Sequence, residues 1–394
     1  MKAILLFFAM MSVVACEQDP FYDPVRYKCK ESVGFNNELH PRHNDYQLLL
    51  DDITGSGTPG IMMTIRNQAG TWSGVAGKAD LASDIDLKPC HITRVGSTVK
   101  TFTAATILLL QEEGKLNLDD KITEYLSTDY LRGLANAETV TIRQLLQHSS
   151  GIYNYIVDSH FQTASLNDLI KVWRPEELLF YARNKPANFQ PNDDVQYSNT
   201  GYILLGEIIE AIEKKPFYKV FEEKLFEPLN LSFTRFAAED PVPEGIIQGY
   251  IDLYSNLNVV NATYYSGWDY FTADGGLIGN AYDLNIFLTQ LLEGNILSEE
   301  SLKEMTTWKA PQKQVGDGFK TWYGLGIFKI MTDYGPAYLH SGDAIGYFAS
   351  MVYFPEKNVT VSWAANGNYG KIDEFIQSKE AIEHIFQTVL SSEK

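Results

Sequence analysis

The stretch RVGSTVKTFTAATILLL, Arg94 to Leu110, decides how the chain is read. From Thr101 to Leu110 no residue is charged and most are apolar. A helix that is apolar on all sides belongs inside a protein, not on its surface. Yet Lys100 stands at its mouth, three residues after Ser97. Residues three apart on a helix share a face, so the two side chains can touch. A serine hydroxyl is a poor nucleophile until a base takes its proton. A lysine can be that base where desolvation or nearby charge lowers its proton affinity, and this apolar helix supplies the desolvation. Free N–H groups at a helix start can also stabilise a developing oxyanion.

The spacing alone is weak, since Ser-x-x-Lys arises about once by chance in a chain of this length. It recurs at Ser391–Lys394, on the terminus with no helix behind it. For Ser97 the competing reading is an N-cap serine with a lysine in the first turn. Two further elements add weight. Tyr197-Ser198-Asn199 precedes the strongly periodic segment 200–215, in which Leu204, Leu205, Ile208, Ile209 and Ile212 share a face. A phenol can relay a proton to a leaving group, and an asparagine amide can both donate to and accept from a substrate amide. The same triplet at Tyr254-Ser255-Asn256 lies in a Tyr-rich irregular segment and leads into no helix. His340-Ser341-Gly342 falls between strand-like runs. There a glycine permits close approach of another backbone, and a substrate can add to the strand edge.

The chain has 394 residues, long for one compact domain, and 45% apolar and 21% charged residues, ordinary for a globular protein. With 23 Tyr and 21 Phe it can line a wide cleft. A net charge of −18 makes nucleic acid an unsuitable partner, because phosphates repel it.

The N-terminus, MKAILLFFAMMSVVAC, has a positive Lys2 and an apolar run Ala3–Val14 too short to span a bilayer as a mature helix. Small residues before Cys16 resemble a bacterial lipoprotein signal, in which the cysteine is acylated after cleavage. The other reading is an ordinary signal peptide. By resemblance to Gram-negative sorting rules, Glu17 in place of Asp favours the outer membrane, on its periplasmic or surface face. Membrane contact is then expected through the lipid anchor only. Cys29 and Cys90 can pair in an exported chain, but two unpaired buried thiols fit the spacing equally well. No Cys/His cluster suggests a metal, and no cofactor is expected. His40 and His43 flank Pro41 in a polar stretch and read as solvated.

Strand-like runs lie at both ends of the chain. GIMMTIRNQAGTWSGVAG (60–77) is a hairpin around Asn67–Gly70; YGLGIFKI (323–330), YLHSG (338–342) and YFASMVYFPEKNVTVSWAAN (347–366) follow late. Helical patterns fill 101–114, 140–152, 200–215 and 282–294, and one amphipathic helix is expected over 373–390. The expected class is α+β: an antiparallel sheet built from both chain ends and flanked by helices, with a large, mostly helical inserted domain. The divisions are a signal peptide at 1–16, a polar tether at 17–43, a sheet domain at 44–100 and 320–394, and a helical domain at 101–319.

In this order the elements resemble the serine penicillin-recognising family of class C β-lactamases, DD-carboxypeptidases, D-aminopeptidases and related esterases. RVGSTVKTFTAATILLLQEEGKLNLDDKITEYL is similar to its nucleophile helix and following loop. TIRQLLQHSSGI, VQYSNTGYILLGEIIE, FEPLNL, the GGL at 275–277 and HSGDAIGYFASMVYFP are similar to later blocks, over about 45–390. The resemblance implies a β-lactamase/transpeptidase-like fold, with Ser97 as acylated nucleophile and Lys100 as its base. Tyr197 would protonate the leaving group and then activate water, and Asn199 would hold the substrate amide. The N–H groups of Ser97 and Asp343 would form the oxyanion hole, beside His340, Ser341 and Gly342. His148 reads as structural. Class C β-lactamases carry Lys where this chain has His340; a partly charged histidine is a weaker carboxylate clamp, which favours a peptidase or esterase. No counterpart of the deacylating Glu of class A enzymes is found, which fits Tyr197 in that role. The expected substrates are D-Ala-D-Ala-type peptides or β-lactams, or else small acyl esters, with specificity in loops 152–196 and 245–275. A catalytically silent binding protein on the same fold, or a surface lipoprotein binding glycans or peptides, is the reading outside enzymes. Metabolic labelling with an alkynyl fatty acid tests the anchor: the wild-type chain takes up label and Cys16→Ala does not, whereas equal labelling of both contradicts acylation at Cys16.

Overall fold

The computed structural model describes residues 37–169, 171–236, 245–265, 272–314 and 318–391. Cys16 and Cys29 lie outside the described residues; Cys90 is disulfide-bonded.

Alternating apolar residues build the hairpin β1 (Gly60–Asn67) and β2 (Gly70–Asp80), with Asn67 opposite Gly70. Gly70 has φ +126°, backbone that favours glycine. A short β3 (Ile85–Asp86) extends this edge. The late runs become β4 (Thr321–Tyr323), β5 (Phe328–Thr332), β6 (Gly335–Ala344), β7 (Tyr347–Phe354) and β8 (Val359–Ala365). The eight strands form one sheet in the order β3-β2-β1-β8-β7-β6-β5-β4. Antiparallel pairing of Ile61 with Ala365 joins the two chain ends at its centre.

Side chains alternate across each strand, so the sheet has two buried faces. Ile61, Met63, Ile65, Val352, Phe354, Val361 and Trp363 face a core closed by the terminal helices. Those helices are α1 (His43–Gly55), α5 (Gly370–Ile376) and α6 (Lys379–Leu390). Met62, Ala349, Met351 and Ala364 face the larger core built on the middle helices. These include α2 (Val99–Glu112), α3 (Asn199–Glu213) and α4 (Ala281–Leu292). Asn285 of α4 donates to the carbonyls of Thr64 and Thr360, tying that layer to the strands. Phe102 of α2 stacks on Phe287 of α4 at 3.5 Å. The helix read as apolar all round is thus the central one, with Val99 to Leu108 buried in full.

Three expectations are corrected. His40 is buried rather than solvated, with Nε2 3.3 Å from Asn67 Oδ1, and His43 Nδ1 accepts from Trp72 Nε1 at 3.1 Å. The Asn37–His43 stretch lies against β2, where Asn37 Oδ1 accepts from the Ser73 N–H, so both rings fill space over the hairpin. The run 323–330 is two strands, because Gly326 turns at φ +68° and packs on α2. The helix over 373–390 is two helices, because Ser378 caps the second by accepting from the Ala381 N–H.

Candidate functional site

Ser97 sits in the turn Gly96–Thr98 that opens α2, and the spacing of three brings Lys100 Nζ to 2.9 Å from its Oγ. Lys100 is fully buried. Its Nζ also donates to the Asp274 main-chain carbonyl and lies 5.0 Å and 5.6 Å from the ring centres of Tyr197 and Tyr202. Tyr197, just before α3, lines the cleft beside Ser97, whose hydroxyl acts on its phenol. Burial pushes its phenol well above the usual range, with Asp274 and Asp343 adding to the effect and the Ser97 hydroxyl opposing it; part of the residue still faces the cleft. Tyr197 is therefore a phenol at neutral pH, equipped to give a proton.

Strand β6 forms the opposite wall. A Cβ on Gly342 would stand 2.2 Å from Val95 O and 2.5 Å from Ser97 N. One on Gly96, at φ +50°, would stand 2.6 Å from Asp343 O. The close neighbour of Gly342 is therefore the turn that carries Ser97, not a substrate strand, which corrects the sequence reading. Room for a strand-like substrate exists nonetheless. β5 begins at Phe328, opposite Leu339, so among the described residues His340–Ala344 have no partner strand on that side.

Ser97, Tyr197, Asn199, His340, Ser341 and Asp343 all line one cleft of about 490 Å³, with Lys100 beneath it. Gly342 lies between its lining neighbours on β6. Asn199 is buried and its N–H donates to Asn154 Oδ1. Ser341 Oγ is 2.9 Å from Ser350 Oγ on β7. Ile156, Phe328, Ile330, Leu339, Phe348 and Ile382 add apolar wall, and Asp274, Thr321 and Gln377 add polar groups. The Tyr254 triplet is not among the lining residues, and Tyr254 is exposed.

His340 departs from the expectation of a partly charged ring. It is 1% exposed, and burial, then the Lys100 charge, push it down to about 3. Nδ1 is 2.7 Å from Ser341 O, which places the proton on Nδ1 and leaves Nε2 a lone pair. His148 is held neutral for the same reasons, and its ring lies 4.5 Å from that of Tyr197. Asp343 is pushed up to about 6 by crowding of its carboxyl and then by Asp373, although the residue keeps an open face to water. None of the described residues lining the cleft is Lys or Arg.

One lining group went unread in the sequence. Asp274 is 1% exposed and directly precedes the Gly275-Gly276-Leu277 block. Its contact with Lys100 spans 174 positions, which no local pattern reveals. Adjacency to that block was the available signal.

A buried amine against a serine hydroxyl, a phenol beside both and N–H groups beside a free strand edge define a cleft suited to acyl transfer through a serine ester. The Beta-lactamase family model matches residues 48–381, and the chain belongs to that family, within the superfamily of serine hydrolases that holds penicillin-binding proteins and D-amino acid amidases. It is 28% identical over 306 residues to penicillin-binding protein 4* of Bacillus subtilis (strain 168), covering 74% of this chain and 64% of that protein. The chain thus spans less than two thirds of that relative's length. Among solved structures it is similar to a D-stereospecific amidohydrolase from Streptomyces sp. (28% identity, TM-score 0.75, 90% of this chain and 100% of that one). It is also similar to the D-amino acid amidase of Ochrobactrum anthropi SV3 complexed with L-phenylalanine amide (25%, 0.76, 88% and 97%).

Two outcomes follow from this geometry. Gly342→Ala pushes β6 off the Ser97 turn; the overpacking costs about 1–3 kcal/mol in urea unfolding and slows any acylation of Ser97 by up to about 10²–10³-fold, the cost of losing one oxyanion donor. Unchanged stability and rate contradict the contact. An unfolded histidine titrates near about 6.5 and folded His340 near about 3, so the unfolded chain binds more protons between those values. Stability is then complete above about pH 6.5 and falls as pH drops toward 3. Between pH 7 and 4 the wild type loses more stability than His340→Gln; equal losses contradict a neutral buried ring.

Proposed function

We propose that this protein is a serine acyl-transfer hydrolase that cleaves amide bonds in D-Ala-D-Ala-type peptides, with β-lactams as strained forms of the same carbonyl. The observation that carries the reading is the 2.9 Å contact between the buried Lys100 Nζ and Ser97 Oγ, with Tyr197 lining the same cleft over the Lys100 amine.

In the reaction, Ser97 Oγ bonds to the substrate carbonyl carbon as its proton passes to Lys100. The oxyanion is held by the N–H groups of Ser97 and Asp343; one such donor is worth about 3 kcal/mol of barrier. Tyr197 gives its proton to the leaving nitrogen, the C–N bond breaks, and Lys100 reprotonates the phenol. Water then attacks the ester carbonyl, losing a proton along the same path, and the acid leaves Ser97 restored. Asn199 holds the substrate amide, while the open edge of His340–Asp343 aligns its backbone. The leader ending at Cys16 supports export and a lipid anchor at the outer membrane, where murein peptides are within reach.

A second reading, hydrolysis of neutral amides or small acyl esters, is favoured by one observation: among the described residues the cleft wall carries no Lys or Arg for a substrate carboxylate, and His340 is neutral. The similarity to an amidohydrolase and a D-amino acid amidase supports it as well.

Steady-state kinetics on a D-Ala-D-Ala peptide, D-phenylalanine amide, nitrocefin and p-nitrophenyl acetate separate the readings. Turnover of the peptide or nitrocefin supports the first, and turnover confined to amide or ester the second. Ser97→Ala abolishes either, and Lys100→Met or Tyr197→Phe lowers kcat/KM by about 10²–10⁴. Wild-type protein inert on all four would overturn the hydrolase reading.

A further inference from the structure

Asp274 has no part in the chemistry above, yet it lies where that chemistry is controlled. Its carboxyl is buried, and Oδ2 accepts from Tyr155 OH at 3.0 Å. Oδ1 is buried with no hydrogen-bond partner among the described residues. A carboxylate so placed is costly unless a cation compensates it. Lys100 is that cation: its Nζ is bonded to the main-chain oxygen of the same residue, and its charge acts on the carboxyl. The Asp274 charge reaches Tyr197 as well. The residue thus touches Lys100 through its main chain and lines the same cleft as Tyr197, and its charge acts on both groups that must exchange protons with Ser97.

We propose that Asp274 is a positioning residue for this reaction: its carboxylate is the counter-charge that sets the pH at which the Lys100–Ser97–Tyr197 network gives up the proton it must lose before Ser97 is acylated. The inference rests on the reading of Ser97 as nucleophile. A negative charge strengthens proton binding at both Lys100 and Tyr197, so its removal acts in one direction whichever of them loses the proton. Burial pushes Asp274 itself up on balance, and the Lys100 charge, then the Thr272 and Tyr155 hydroxyls, pull against it. The other titratable groups around the network are His148, Tyr202, Tyr323, His340 and Asp343. Both histidines are held neutral and Tyr202 and Tyr323 are pushed up by burial, so none of these four titrates near pH 7; Asp343 titrates near about 6 and keeps its place when Asp274 is changed.

The test is the pH profile of Asp274→Asn, read as kcat/KM on p-nitrophenyl acetate. The acid limb is expected to move to lower pH by about one unit, the size of effect a neighbouring charge exerts in a buried site. A profile that drops in height without moving overturns the proposal, since a purely structural role predicts that. Should Asp274→Asn fold poorly, thermal unfolding of Lys100→Met, Asp274→Asn and the double variant decides without any activity: the pair is expected to melt above either single change, and additive losses overturn the proposal. Failure of the hydrolase reading looks different, as wild type then turns over no substrate at any pH.

Discussion

Two glycines in contact hold the cleft together. Strand β6 descends onto Val95–Ser97 because neither Gly96 nor Gly342 carries a Cβ. That approach sets the Ser97 N–H beside the open edge of the sheet and makes the helical layer and the sheet share one site. A residue with a side chain at either position would meet backbone atoms, which cannot rotate away. The register of β6 against β7, with Gly342 opposite Ala349, then carries His340, Ser341 and Asp343 to the cleft together.

Burial decides the charges inside. A neutral hydrogen bond contributes about 1 kcal/mol, whereas an uncompensated buried ion costs several. Lys100 therefore dominates its surroundings. It helps keep His148 and His340 uncharged, its ammonium is met by two aromatic faces and the Asp274 main-chain oxygen, and its charge draws down the Asp274 carboxyl. The result is a cleft whose cation lies at the floor, under the nucleophile, while its walls mix apolar side chains with the carboxyls of Asp274 and Asp343 and, among the described residues, no Lys or Arg. Substrate carboxylates gain little from such walls, and amide or ester carbonyls lose nothing.

Much of this was legible in the residues themselves. Period-two alternation drew the 60–77 hairpin and the paired strands at 347–366, and period 3.6 drew the helix after Asn199, because each pattern reports burial locally. The Ser97–Lys100 pair needed only the spacing of one helical turn. What escaped depends on contacts between distant parts. His40 looks solvated until the hairpin packs over it, and Asp274 looks like a turn residue until α2 brings Lys100 to it. Gly342 was rightly marked as a point of close approach, but the sequence alone does not say which backbone approaches. The divided helix at 370–390 escaped because Ser378 caps from inside an otherwise continuous amphipathic pattern.

Family membership sets the scaffold, and the particular side chains on the cleft wall distinguish this chain within it. The central claim is that Ser97, alone among the serines, is made nucleophilic by its buried neighbours. Treatment with a fluorescent penicillin and with a fluorophosphonate, followed by peptide mass spectrometry, tests it most directly. The claim predicts a covalent adduct on the Ser97 peptide from at least one reagent, absent in Lys100→Met. An adduct on another serine, or equal labelling of Ser97 without Lys100, would contradict it.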